Sequence, residues 1–122
     1  MKISTGIDLI EIERIAESID RHGERFLARV FTSEERKACA ERVESFAARF
    51  AAKEAAAKAL GSGLDGFALL DIEITRAPNG APGLRLYGVA AERAEQQGIT
   101  RWSVSLSHSQ SHATAIVIGY GE

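Results

Sequence analysis

The sequence predicts an α+β domain in which a helix-rich amino-terminal half packs on a small, mainly antiparallel sheet. Three observations predict it: a strand-like alternation near the amino terminus, helical periodicity up to about residue 60, and a second, longer stretch of alternation from about residue 70. The 122 residues are 45% apolar and 26% charged. We therefore expect a single domain, residues 1–122, with one core.

The chain begins with a strand from about Lys2 to Ile10. Ile and Thr alternate with small or acidic residues here, so that Ile7 lies on one face and Gly6 and Asp8 on the other. A helical pattern starts at Glu11, with isoleucines spaced for one face. We expect Gly23 to break or bend this helix before it resumes.

Two more helices follow. Thr32 and Glu35 have the spacing of a capping box, which predicts a helix up to about Ala40. A long helix then runs from about Val43 to Leu60, and the sequence Gly61-Ser62-Gly63 ends it.

The carboxyl-terminal half changes to strand periodicity. Apolar and polar residues alternate in two segments, a Pro- and Gly-rich turn separates a hairpin, and one short helix intervenes. The expected order is strand 70–75, turn 78–83, strand 84–87, helix 89–97 and strand 102–107. Residues 113–118 are apolar on both faces, which predicts a central strand.

Composition excludes several classes of protein. A net charge of −2 gives no general attraction to nucleic acid or to an anionic membrane. The single Cys39 excludes an internal disulfide and a cysteine-based zinc cluster. No apolar run is long enough to span a membrane, and Asp8 and Glu11 interrupt any signal-peptide pattern. We expect a cytoplasmic protein.

The long helix carries charges where it should bury apolar surface. Glu54 continues a row through Val43, Ala47 and Phe50, and an unpaired charge there would be costly. Three cations, Arg49, Lys53 and Lys58, flank this acid at helical spacing. The set suits a divalent metal beside phosphate groups. The alternative is an ordinary helix-stabilising pair between Glu54 and Lys58.

Asp8 is the second candidate metal ligand. It ends the first strand, and Gly6 before it permits close approach of another backbone or of a ligand. Two carboxylates form a suitable half-site for Mg²⁺, which keeps waters and takes other ligands from substrate phosphates. The alternative is an acid at the amino terminus of the following helix, which the helix dipole favours.

A cluster of hydroxyls and an imidazole ends the last-but-one strand, at Ser105 to Ser109. These groups can hydrogen-bond phosphate oxygens, and His108 can accept a proton near neutral pH. The alternative is a polar hairpin loop without a role. Because His108 and His112 lack a third ligand at suitable spacing, a zinc site is disfavoured.

Arg14, Arg21 and Arg25 fall on one side of the first helix if that helix continues through Gly23. A basic stripe on an acidic protein is suited to docking an acidic partner. The alternative is a solvated face, since Glu13, Glu17 and Glu24 dilute its charge.

Three segments, in their order and spacing, resemble the motifs of holo-acyl-carrier-protein synthases: Gly6 to Ile15, Arg49 to Gly61 and Ser105 to Ser109. The resemblance covers essentially the whole chain. It implies the 4′-phosphopantetheinyl transferase fold and an enzyme that transfers the phosphopantetheine arm of coenzyme A to a serine of apo acyl carrier protein. Adenosine 3′,5′-bisphosphate is the other product, and the reaction supports fatty acid biosynthesis.

The resemblance also implies roles for residues. Asp8 and Glu54 would hold Mg²⁺, and Asp8, Glu54, Lys58 and His108 would form the catalytic set. The coenzyme A site would contain Arg49, Lys53, Lys58, Gly61, Ser107, His108 and Ser109. The proton of the serine would pass to a metal-bound water, a carboxylate or His108.

The family resemblance further implies a homotrimer with sites between protomers, and docking of the carrier protein on Arg14, Arg21 and Arg25. Two alternatives belong to other classes: a binding module for coenzyme A or a carrier protein without turnover, and a Mg²⁺-dependent phosphohydrolase. The identity of the product distinguishes the three, and the small number of carboxylates disfavours the hydrolase.

Overall fold

The computed structural model describes residues 1–61 and 68–122. In these ranges the elements are β1 (Lys2–Glu11), α1 (Ile12–His22), α2 (Glu24–Val30), α3 (Ser33–Cys39), α4 (Val43–Ala59), a 3₁₀ turn (Leu69–Asp71), β2 (Ile72–Arg76), β3 (Pro82–Leu86), α5 (Gly88–Gln96), β4 (Arg101–His108) and β5 (His112–Gly121). The predicted α+β class and its helix-rich first half are confirmed. No helix in the described ranges is both long and apolar enough to cross a membrane.

All strand pairs are antiparallel, in a three-stranded sheet of order β1-β5-β4 and a separate β2-β3 hairpin. The apolar strand β5 is central, as its lack of alternation predicts. Its register places Asp8 opposite Ala115 and His108 opposite Ala113. The first and last-but-one strands thus flank β5, and their polar ends lie toward the same end of the sheet.

Helix α4 fills the space against the inner face of this sheet. Its contacting side chains are mostly alanines with no exposed surface, including Ala51, Ala55 and Ala59. β1 approaches closely at Gly6, where an added Cβ would lie 1.8 Å from the carbonyl oxygen of Ala55. Only a residue without a side chain permits this approach, which brings the backbone of the first strand against the helix.

A second apolar cluster joins α1, α2 and α3 to the first half of α4. Phe31 and Phe46 pack at 4.9 Å between ring centroids, and Ile15 and Val30 are buried beside them. Gly23, with φ at 52°, separates α1 from α2. The short helices therefore cover the amino-terminal half of α4, and the sheet covers the rest.

The outer face of the three-stranded sheet has no covering element in the described residues. Ile3, Ile7, Leu9 and Ile116 are 61%, 62%, 65% and 40% exposed there. The face of β1 that carries Ser4, Gly6 and Asp8 is the inner one, against α4. Alternation predicts the two faces but not which is buried, because the more apolar face is the exposed one.

Both strands of the hairpin begin at a residue other than the predicted one. The chain forms a 3₁₀ turn at Leu69–Asp71, so β2 begins at Ile72 rather than at residue 70. β3 begins at Pro82, inside the predicted turn. Pro82 is the first residue of β3 and pairs with Arg76 next to the turn of a two-stranded hairpin, where a missing N–H costs little. The Ser62-Gly63 part of the predicted helix end lies outside the described residues.

Candidate active site

Asp8, Glu54 and Lys58 are brought together by β1 and α4. The hydroxyl of Ser4 donates to the carbonyl of Ala59, and the close approach at Gly6 holds the two elements together along this line. Lys58 then reaches from the helix to the strand. Its Nζ donates to the carbonyl oxygen of Ile7 at 2.9 Å and to Oδ1 of Asp8 at 3.2 Å.

Asp8 and Glu54 line one cleft of about 380 Å³, which we call the acidic cleft. Its other walls include Arg14, Phe26 and Phe50. Burial raises the pKa of the Glu54 carboxyl, and the negative charge of Asp8 raises it further, whereas Lys58 lowers it. The two carboxylates are therefore close enough to repel each other, which a bound cation would relieve.

The donor set fits a magnesium ion that takes further ligands from elsewhere. No group of three or more His, Cys, Asp or Glu side chains that could hold a metal occurs among the described residues. Two carboxylates in a half-open cleft, with water and substrate phosphates completing the shell, match the preference of Mg²⁺. Asp8 and Glu54 are the residues that would hold it.

Arg49, Ser107 and His108 line a different cleft of about 400 Å³, which we call the arginine–histidine cleft. This volume lies in the range of roughly 300–1,000 Å³ typical of small-molecule sites. Arg49 is only 7% exposed. Its Nε is buried without a hydrogen-bond partner among the described residues, and its Nη1 makes a long contact of 3.5 Å to the carbonyl of Ser45.

The unpartnered Nε makes Arg49 suited to binding an anion. A buried donor without an acceptor is costly, and a phosphate oxygen would satisfy it. Arg42 and Arg76 also line this cleft. Neither arginine is predicted from the sequence. Arg76 is far from the central helix in the chain, and only the β2-β3 hairpin brings it here. No periodicity in the sequence indicates that position.

The assignment of Lys53 to the coenzyme A site is wrong. Its side chain has no exposed surface, and its Nζ contacts Oε1 of Glu35 at 2.7 Å and the carbonyl oxygens of Leu69 and Ile72 at 3.0 and 2.6 Å. The physical reason is helical phase: five residues from Lys58 correspond to about 140° of rotation, which turns Lys53 into the protein. Lys53 is a core residue.

Lys53 belongs to a network that we call the buried polar cluster. Glu35 accepts from the backbone N–H groups of Ile74 and Thr32, each at 2.8 Å. The Thr32 hydroxyl donates to Glu73 at 2.7 Å, and the Tyr87 hydroxyl donates to the same carboxylate at 3.0 Å. The predicted capping box of Thr32 and Glu35 is present, and its glutamate also joins α3 to α4 and β2.

Gly61 and Ser109 are not among the described residues that line either cleft. Gly61 follows α4, with φ at 92°, one turn beyond Lys58. The hydroxyl of Ser109 accepts from the backbone N–H groups of Ser111 and His112, at 3.3 and 3.1 Å, and so shapes the loop after His108.

The basic stripe is divided. Its premise of a helix continuous through Gly23 is wrong, because the glycine backbone turns there and α2 takes a new direction. Arg14 lines the acidic cleft, whereas Arg21 and Arg25 line a shallow groove with His22 and Glu24. All three arginines are exposed.

The two clefts share no lining residue among those described. Arg49 and Phe50 are neighbours on α4 but face different clefts, since consecutive helical residues differ by about 100°. One chain therefore presents two separate halves of the predicted site, a carboxylate half and an arginine–histidine half.

The fold and these two half-sites define a class of protein. The chain belongs to the 4′-phosphopantetheinyl transferase superfamily, whose family model matches residues 4–117. It is thus an enzyme of the phosphopantetheinyl transferase class.

Closer relatives identify the family as that of the holo-[acyl-carrier-protein] synthases. The synthase of Herpetosiphon aurantiacus is 51% identical over 124 residues, covering 96% of this chain and 98% of that protein. The synthase of Koribacter versatilis is 48% identical, covering 97% and 98%. The crystal structure of the Helicobacter pylori synthase in complex with coenzyme A has a TM-score of 0.87 and 34% identity, covering 95% of this chain and 99% of that one. The resemblance seen in the three sequence motifs is confirmed.

Proposed function

We propose that this protein transfers 4′-phosphopantetheine from coenzyme A to a serine of apo acyl carrier protein, with Mg²⁺, and releases adenosine 3′,5′-bisphosphate. The grouping of Asp8 on β1 with Glu54 and Lys58 on α4 supports this most directly. Two carboxylates for a cation and one ammonium for phosphate oxygens are the groups that attack on a pyrophosphate requires. The two relatives described above are both named holo-[acyl-carrier-protein] synthase, which supports the same activity here.

In this reaction the serine oxygen attacks the β-phosphorus of coenzyme A. The bond from that phosphorus to the bridging oxygen breaks, and the bridging oxygen leaves on adenosine 3′,5′-bisphosphate. A bound Mg²⁺ supplies charge neutralisation at the pyrophosphate. Lys58 is placed to neutralise further phosphate charge, and a carboxylate, His108 or water accepts the serine proton.

Arg49 and His108 would bind the nucleotide end of coenzyme A in the arginine–histidine cleft. Arg49, with its unpartnered Nε, lines this cleft together with Ser107 and the exposed His108 at the end of β4. Ser107 contributes a hydroxyl there, Ser109 holds the loop that follows His108, and Gly61 contributes backbone close to Lys58. This assignment gives each half of the divided site a different part of the same substrate.

A homotrimer with sites between protomers would unite the two halves. Residues 1–122 would act as a single transferase domain. Each protomer of the trimer would contribute its acidic cleft to a site shared with one neighbour and its arginine–histidine cleft to a site shared with the other. The bare apolar face of Ile3, Ile7, Leu9 and Ile116 is a surface that association would bury. Such an enzyme would serve fatty acid biosynthesis in the cytoplasm.

The proposal is tested by intact-protein mass spectrometry of an apo acyl carrier protein incubated with this protein, coenzyme A and Mg²⁺. We expect a phosphopantetheine increment that disappears when EDTA is added. Asp8→Ala and Glu54→Ala should abolish the increment, and Glu95→Ala, an exposed acid on α5, should retain it. A carrier that stays unmodified in the presence of folded protein contradicts the proposal.

The distributed site is tested by mixing variants. Asp8→Ala and His108→Ala damage opposite halves, so each alone should be inactive. Subunits exchanged between the two should form some sites with both halves intact, and activity should return. A mixture that remains inactive after exchange, verified by native mass spectrometry, contradicts a site shared between protomers.

The docking role is tested by charge reversal away from the metal half-site. Arg21→Glu with Arg25→Glu should raise the KM for the carrier far more than the KM for coenzyme A. Lys37→Glu, an exposed charge on α3, is the matched control. Equal effects on both substrates would refute docking at these arginines.

A further inference from the structure

The ammonium group of Lys58 contacts Asp8, one of the two proposed metal ligands. Its Nζ lies 3.2 Å from Oδ1 of Asp8 and 2.9 Å from the carbonyl oxygen of Ile7. The side chain of Asp8 is 19% exposed, so much of its charge is turned toward α4 and the ammonium. One oxygen of a proposed metal ligand is therefore already held by a competing cation.

This contact differs from an ordinary surface ion pair in what surrounds it. Asp8 and Glu54 line the same cleft and repel each other, and Arg14 also lines it. Lys58 contacts the Asp8 carboxylate from α4. Lys58 is half-exposed, with 54% of its side chain accessible, and its four-carbon stem can swing without moving the helix. The ammonium can therefore leave Asp8 at little conformational cost.

A metal entering alone faces two obstacles. It must displace the ammonium from Asp8, and it must bind within a few ångströms of that positive charge. Among the described residues, Asp8 and Glu54 are the two carboxylates that line this cleft, and no group of three ligating side chains occurs. A pyrophosphate removes both obstacles, because it supplies oxygens for the metal and a new anionic partner for Lys58.

We infer that Lys58 is an interlock between the metal and coenzyme A. In the free enzyme it holds Asp8 and weakens metal binding; when the pyrophosphate arrives, Lys58 transfers its contact to the phosphate oxygens and frees Asp8. By linkage, coenzyme A strengthens metal binding and the metal strengthens coenzyme A binding. The inference rests on the proposed function, since it assigns an order of events to that site.

The test measures metal binding without any turnover. Mn²⁺ is titrated into the 122-residue chain without coenzyme A, and free Mn²⁺ is followed by its electron paramagnetic resonance signal. We expect Lys58→Met to bind Mn²⁺ about three- to tenfold more tightly than the wild type, because a partly screened positive charge is removed and Asp8 is released. Lys58→Arg, which keeps the charge, should bind as weakly as the wild type.

Lys37→Met is the control for the loss of a positive charge elsewhere. Lys37 is an exposed lysine on α3 paired with Glu34 at 3.5 Å, and its replacement should leave Mn²⁺ affinity unchanged. In the wild type, coenzyme A should raise Mn²⁺ affinity on the order of 5- to 150-fold, the usual range of coupling between two sites. In Lys58→Met this factor should fall, since part of it depends on the lysine.

Asp8→Ala separates failure of the interlock from failure of the metal assignment. If Mn²⁺ binding depends on Asp8 but Lys58→Met leaves or lowers the affinity, Lys58 is only a phosphate ligand and the interlock is refuted. If Mn²⁺ binding is indifferent to Asp8→Ala, the metal lies elsewhere and the proposed site falls with the interlock. Circular dichroism melts of every variant establish that each is folded.

Discussion

Lys53 and Lys58 lie five residues apart on one helix, within one motif, and have opposite environments. Lys53 has no exposed surface and contacts Glu35 and two carbonyl oxygens in the buried polar cluster. Lys58 is half-exposed and contacts Asp8, one of the residues that line the acidic cleft. The buried lysine has all its donors satisfied by the protein, whereas the exposed lysine is free to exchange its partner. The difference separates a structural cation from one available for chemistry.

Replacing the buried lysine should give the largest effect on stability. Lys53→Met leaves the Glu35 carboxylate buried without its cation, and removal of one partner of a buried pair typically costs about 3–5 kcal/mol. Lys58→Met should change the free energy of unfolding by less than about 1 kcal/mol, as for exposed pairs. Urea denaturation measures both. Equal losses of unfolding free energy in the two variants would contradict the assignment of Lys53 as the structural lysine.

Gly6→Ala should give the next largest effect, because the new Cβ would lie 1.8 Å from the carbonyl oxygen of Ala55. The backbone of β1 must move away from α4, at a cost of about 1–3 kcal/mol or more. Asp8 moves with the strand, so transfer activity should fall as well. Thr5→Ala, at an exposed position of the same strand, is the control. Normal activity with normal stability would contradict the close approach.

Thr32→Ala tests the edge of the buried polar cluster. The substitution removes the cap of α3 and the hydrogen bond to Glu73, so we expect a loss of about 1–2 kcal/mol in unfolding free energy. The KM for coenzyme A should not change, because the cluster is separate from both clefts. A shift in KM without a loss of stability would show that the cluster reaches the active site. Ser33→Ala, the exposed neighbour, is the control.

Glu54→Gln should have the smallest effect on stability, and its sign depends on pH. Burial and Asp8 raise the pKa of Glu54 in the folded chain above its ordinary value of 4.5. Ionised Glu54 therefore lowers stability, and this penalty appears as the pH rises from 4.5 through the folded pKa. In EDTA, Glu54→Gln should melt up to a few degrees higher than the wild type at pH 8. At pH 4 the two should coincide, and a constant difference at both pH values would contradict the shift.

The sequence predicts the fold well because its signals are local. Periodicity places β1, α4 and β5, Gly23 marks the break between helices, and Thr32 with Glu35 predicts the cap. These features depend on neighbouring residues and on helix or strand spacing. The central position of β5 is also predicted from local sequence, because the strand is apolar on both of its faces.

The site is predicted only in part, because it depends on contacts distant in sequence. Asp8 and Lys58 are fifty residues apart and meet through Gly6. Motif membership suggests that Lys53 and Lys58 act together, but only packing shows that Lys53 faces Glu35. Arg76 reaches its cleft through hairpin geometry that no sequence spacing encodes.

The alanines of α4 have a consequence for how this helix can vary. Ala51, Ala55 and Ala59 are fully or almost fully buried against the sheet, so the distance between helix and strand is fixed by the width of a methyl group. A larger apolar residue at these positions satisfies hydrophobicity yet increases that distance, and Lys58 would then no longer reach Asp8. In a saturation scan, valine and leucine at these alanines should be as damaging as charged residues. The helix sets the distance to the sheet, and the size of a side chain rather than its polarity determines which substitutions are tolerated at these alanines.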